Sequence, residues 1–214
     1  MANRSTSGFG LRMAMRLGNT PAIGGQSKYA IKSGLGVGIF KGNPASIQLA
    51  GDTGYIQDSA FSTTDDGNDG GIDFTTANDA LLVGVHNGVF YIDSTTSKPT
   101  FANSVAASTT FGTNPNTNST DGVAFVNDDP DQEYVVKADA AVGQAIFGLC
   151  GNINDFAAGD AKDGASTATF DSGTQGETKM FRIVRSAEDP DNEDLTPAGA
   201  NIIVVINAAA NTYR

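Results

Sequence analysis

The feature that most constrains this chain is the shortness of its apolar runs. The longest strongly apolar stretch, Ile202 to Ile206, is strand-sized, and turn residues interrupt the sequence every 8 to 12 positions. No stretch sustains apolar residues at helical 3.6 spacing, and none approaches a membrane span in length. Such a chain folds as many short strands joined by turns. The 26 glycines and the many Ser, Thr and Asn residues fit that reading. The expectation is a mainly β protein: a β-barrel or β-sandwich body of short antiparallel strands, an extended N-terminal arm and at most one short helix.

Strand signals begin near Lys28. The candidates are 29–31, 36–41, 46–49, 55–56, 122–126, 133–138, 167–170, 179–186 and 202–206. Residues 81–86 and 89–93 flank Asn87-Gly88, which predicts a two-residue type I′ hairpin, since both central residues of that turn need positive φ. Residues 62–71 and 94–120 read as polar loops, and 140–149 as the one short helix. Two regions result: an arm over 1–27 and a body over 28–214, with a sub-boundary expected in the loop 94–121.

Charge separates the two regions. Met1 to Gly51 holds no acid but carries Arg4, Arg12, Arg16, Lys28, Lys32 and Lys41. The rest carries seven bases against all 24 acids, within an overall net charge of -11. A split of this kind marks an interacting tail. Within the arm, Phe9, Leu11, Met13, Met15 and Leu17 alternate with Gly10, Arg12, Ala14 and Arg16. The period of two predicts an extended segment with one apolar and one basic face, and a short helix over 11–17 is the alternative. A lone strand needs a partner, either its own body or a neighbouring subunit's sheet edge. The candidate binding residues are Arg4, Phe9, Leu11, Arg12, Met13 and Arg16. The acidic body argues against nucleic acid as partner.

No catalytic set is assigned. His86 is the single histidine and lies beside the Asn-Gly pair, without a nucleophile motif around it. Nucleotide-binding and zinc-protease motifs are absent from the sequence. Cys150 is the single cysteine, which excludes an internal disulfide and predicts a buried apolar role. Asp65 to Asp73 resembles a calcium loop but misses its spacing, because Gly70 occupies a ligand position and no Glu closes it. The related Asn127-Asp128-Asp129-Pro130-Asp131 and Glu188-Asp189-Pro190-Asp191 segments read first as turns, because Asp before Pro starts a turn; calcium binding is the other reading. No metal site and no cofactor are assigned.

Several segments together carry a resemblance. The opening MANRSTSGFGLRMAMRLGNTPAIGGQSKYAIKSG, then GVAFVNDDPDQEYVVKAD, AVGQAIFGLCGNIND, FRIVRSAEDPDNED and the terminal NIIVVIN resemble small structural proteins of marine tailed bacteriophages. The resemblance implies a virion protein that decorates or cements the outer surface of the capsid. It implies the major capsid protein as partner, with self-association as a trimer by analogy with other cement proteins, and no nucleic acid or membrane partner. Assembly would take place in the host bacterial cytoplasm. The alternative is a carbohydrate-binding or adhesive β-sandwich module of a virion fibre. That reading calls for exposed aromatic platforms, and Trp is absent.

Overall fold

The computed structural model of the chain describes residues 3–22, 24–48, 53–58, 82–154, 159–177 and 179–213. The calcium-like segment Asp65 to Asp73 lies outside them, as does Leu81 at the start of the expected hairpin. The described residues form fifteen strands: β1 (Arg12–Arg16), β2 (Thr20–Pro21), β3 (Ser27–Ile31), β4 (Ile39–Phe40), β5 (Pro44–Ile47), β6 (Ile56–Asp58), β7 (Leu82–Ile92), β8 (Pro99–Ala102), β9 (Ser104–Val105), β10 (Gly122–Asn127), β11 (Gln132–Lys137), β12 (Cys150–Asn154), β13 (Thr169–Gln175), β14 (Phe181–Ser186) and β15 (Asn201–Ile206). The fold is mainly β and its named strands pair antiparallel, as the short apolar runs predict.

Seven strands form one sheet in the order β13-β12-β14-β15-β11-β1-β2. Five form a second in the order β3-β10-β7-β5-β6, and β8 adds to it on β7. The pair β4–β9 stands apart. Alternation decides what each strand buries. In β15, Ile202, Val204 and Ile206 enter one core cluster with Tyr134 and Val136 of β11 and Phe181 and Ile183 of β14. Leu82 and Val85 of β7 close that cluster from the second sheet, so the two sheets pack as a sandwich.

A second cluster holds Ile31, Ile39, Ala45, Ile56, Val83, Val89, Val105, Phe111, Ala124 and Val126. It lies on the opposite side of β7, because Val83 and Val89 join it while Leu82 and Val85 join the first. β7 is therefore covered on both faces along its first half.

Three expectations are corrected. Asn87-Gly88 does not turn the chain. β7 runs straight through it, and the pairing with β10 slips there: Phe125 faces Gly88 while Val126 faces His86, leaving Asn87 as the extra residue of a β-bulge. Gly88 has φ 143 but Asn87 is not among the positive-φ residues, and a type I′ turn requires both. The helix expected over 140–149 shrinks to a 3-10 turn at Gln144–Ile146, and Cys150 opens strand β12. Gly143 and Gly148 bracket that turn and limit its length. The loop expected over 94–120 contains β8 and β9, whose sequences carry too few apolar residues to announce themselves.

Candidate functional site

The N-terminal arm is extended, as the period of two predicts, and the surface that orders it is its own body. Asn3 begins the attachment. Its side-chain Nδ2 donates to the carbonyls of Asp194 (2.8 Å) and Ala198 (3.0 Å), and its Oδ1 accepts from the Asp194 N–H at 3.1 Å. Lys137 Nζ then donates to the carbonyls of Ser5 and Gly199, at 3.1 and 3.2 Å. Lys137 is 3% exposed, and burial lowers its pKa. A buried ammonium needs acceptors around it, and the arm supplies one. At Gly8 the arm presses so closely on the carbonyls of Thr167 and Ala168 that a Cβ has no room. Leu11 then enters the first core cluster, and β1 pairs with β11.

The two Asp-Pro-Asp segments hold the arm at either end, and they share one geometry. In each, the first Asp caps the turn: Asp129 Oδ1 accepts from Asp131 N–H at 3.0 Å, and Asp189 Oδ1 from Asp191 N–H at 3.1 Å. In each, the carbonyl of that same Asp accepts from the N–H three residues on, Gln132 at 3.1 Å and Asn192 at 2.9 Å. The third residue then grips the arm. Asp131 O accepts from Leu17 N–H at 2.9 Å, and Asp191 O from Arg4 N–H at 3.0 Å. Its carboxylate faces an arm arginine: Asp191 Oδ2 lies 2.9 Å from Arg4 Nη1, and Asp131 Oδ2 lies 3.6 Å from Arg16 Nη2. Asp129 Oδ2 adds a 2.6 Å ion pair to Arg16 Nε.

The amide one residue later completes each clip. Gln132 Nε2 donates to Met15 O at 3.0 Å, and Asn192 Oδ1 accepts from Ser5 N–H at 3.2 Å. The Asp191 N–H lowers the Asp189 pKa first, with Asn192 and Asn201 adding further donors.

The six expected binding residues divide accordingly. Arg4 and Arg16 are spent on the clips. Phe9, Leu11, Arg12 and Met13 line one groove of 430 Å³ with Lys41, His86 and Asn127. Arg12 lies over the Phe9 ring, its guanidinium carbon 4.2 Å from the centroid. Leu11 is buried and unavailable to a partner, whereas Met13, Met15 and Leu17 are 36–44% exposed. His86 is buried, donates from Nε2 to the Gln57 carbonyl (3.2 Å), and burial pushes its pKa down to about 4. Lys137, Asn3, Gln132 and Asn192 were not singled out in the sequence. The duplicated Asp-Pro-Asp followed by an amide residue was the available signal for the last two. Among the described residues, no group of three or more His, Cys, Asp or Glu side chains is placed to hold a metal ion. None of their helices is long and apolar enough to cross a membrane.

No family model, curated protein or solved structure matches this chain.

Proposed function

We propose that this chain is a virion structural protein that decorates the outer surface of a phage capsid, with the major capsid protein as its partner. The observation that carries the reading is the arm's exposed edge. Among the described residues, β1 is flanked on its outer side only by the two residues of β2, which pair with Met15 and Arg16. Among the described residues, the stretch Arg12 to Ala14 has no strand on this side, and Met13, Met15 and Leu17 are exposed beside it. An open edge with apolar side chains suits strand addition from another protein. The acidic body keeps such a protein soluble until it docks, and repetition over a symmetric shell turns modest contacts into stable attachment. The resemblance of the sequence to phage structural proteins gives the partner its identity.

The test is co-sedimentation with empty shells of the parent phage. Wild-type protein should pellet with the shells. The double substitution Met15→Lys and Leu17→Lys should weaken binding at least ~10-fold, about 1.4 kcal/mol, while leaving the folded state intact by circular dichroism. Undiminished binding of the variant, or wild-type protein that never pellets, would overturn the reading.

A further inference from the structure

The bulge at Asn87-Gly88 builds a second surface feature, which shares Asn87 with the groove beside the arm. Phe101 of β8 pairs across the ladder with Phe90 of β7, and Phe125 of β10 faces Gly88. The three rings form a row over three strands. The Phe90 and Phe101 centroids are 4.7 Å apart, and those of Phe101 and Phe125 are 6.4 Å apart with an interplanar angle of 20°. Their neighbours Val89, Ala102 and Ala124 turn to the other side, into or against the second core cluster. Among the described residues, the first core cluster meets β7 near its start, at Leu82 and Val85. Phe101 is left 73% exposed, the most exposed large apolar side chain described.

Gly88 has no side chain, so the space between Phe101 and Phe125 stays open. The result is a groove of 480 Å³ whose lining includes Gln26, Asn87, Gly88, Phe101, Asn103 and Phe125. That volume lies within the ~300–1,000 Å³ of small-ligand sites. No lining residue is ionisable.

Its polar groups are amides with fixed roles. Asn87 Nδ2 donates to Gln26 Oε1 at 2.9 Å. This bond leaves the Asn87 oxygen as an acceptor and the Gln26 nitrogen as a donor. Asn103 Nδ2 is occupied by the Asp163 carbonyl at 2.9 Å, which leaves its oxygen as a second acceptor.

We propose that this groove binds a neutral saccharide, with the Phe101 ring as the stacking platform. The C–H face of a sugar ring is apolar and packs on an aromatic face, while its hydroxyls each donate and accept. A held ring beside an amide acceptor and an amide donor complements that pattern. An anionic ligand would find no counter-ion in the lining and a net charge of -11 on the chain around it. The site does not depend on the capsid reading and would serve a protein displayed on any surface.

The experiment titrates intact protein separately with maltotriose, cellotriose, chitotriose and mannotriose, following the side-chain amide signals of Gln26, Asn87 and Asn103 by ¹H–¹⁵N NMR. At least one sugar should give saturable shifts with a dissociation constant on the order of 1 mM. Phe101→Ala should weaken binding at least ~10-fold with an unchanged melting temperature, and Phe101→Tyr should retain it. Three outcomes each overturn the proposal. One is no shift from any of the four at ~50 mM, well above that constant. Another is shifts that Phe101→Ala leaves unchanged. The last is self-association abolished by Phe101→Ala without any saccharide response, which would make the row a contact between copies. Shell co-sedimentation of Phe101→Ala separates this test from the capsid reading, since the variant should still pellet with shells.

Discussion

At the scale of single residues, the most consequential chemistry is burial of groups that prefer water. His86 sits at the bulge of β7 with 1% of its surface exposed, and burial drives its pKa from 6.5 to about 4. The unfolded chain takes up a proton at this residue near pH 6.5, the folded chain only near 4. Stability contributed here is complete above 6.5 and is lost as pH falls toward 4, by up to ~3 kcal/mol. Urea denaturation at pH 7 and pH 4 should show that loss, and His86→Gln, which has no titrating ring, should flatten it.

Glu133 is the opposite case. It is 1% exposed but receives both Arg185 nitrogens, at 2.7 and 2.5 Å, across β15. Glu133→Ala removes the bidentate partner of an arginine that is itself 40% exposed. The expected loss is therefore ~2 kcal/mol, less than for a fully buried pair, measurable as a lower urea midpoint.

At the scale of elements, the Asp-Pro-Asp turns and the Asn-Gly bulge show how much one short motif can leave open. Asp-Pro-Asp was legible as a turn, because the Asp cap and the fixed proline φ act within four residues. That both turns grip the arm was not legible, since Arg4 lies 187 residues from Asp191 and Arg16 lies 113 from Asp129. Asn-Gly was misleading for a related reason. Its preference for positive φ serves a bulge as well as a turn, and only the pairing with β10 decides between them.

Gly88→Ala should therefore cost about 1 kcal/mol or more, because φ 143 strains any side chain and the added Cβ comes within 3.3 Å of the Ala102 carbonyl. It should also narrow the groove beside Phe101. The arm clips make a separate prediction. Their ion pairs are partly or largely exposed, so Arg4→Gln with Arg16→Gln should cost only ~1 kcal/mol in stability. The larger effect should be faster hydrogen exchange at Leu17 N–H, which the Asp131 carbonyl holds.

At the scale of the whole molecule, β7 ties the structure together. Its apolar residues enter both core clusters, so neither can open without disturbing the other. Calorimetry should record one unfolding transition whose calorimetric and van't Hoff enthalpies agree. Two transitions would mean that the segment 94–121, expected as a sub-boundary, does separate two folding units.

The sequence alone determined the class of fold, because apolar runs of at most five residues between turns cannot make helices long enough to pack. It also showed the arm's period of two, which fits a strand, but left the short helix over 11–17 open until pairing with β11 decided for the strand. Tertiary structure alone decided where the arm's charge goes. The sequence shows a basic, acid-free segment and an acidic remainder, which fits a foreign acidic partner as well as an internal one. Long-range pairing placed β1 on β11 and brought both Asp-Pro-Asp turns to the arm's ends, so Arg4 and Arg16 found their carboxylates within the chain. Long-range pairing also set three phenylalanines of β7, β8 and β10 side by side on one face. Strand register and sheet order depend on contacts between distant residues, and no local pattern encodes them.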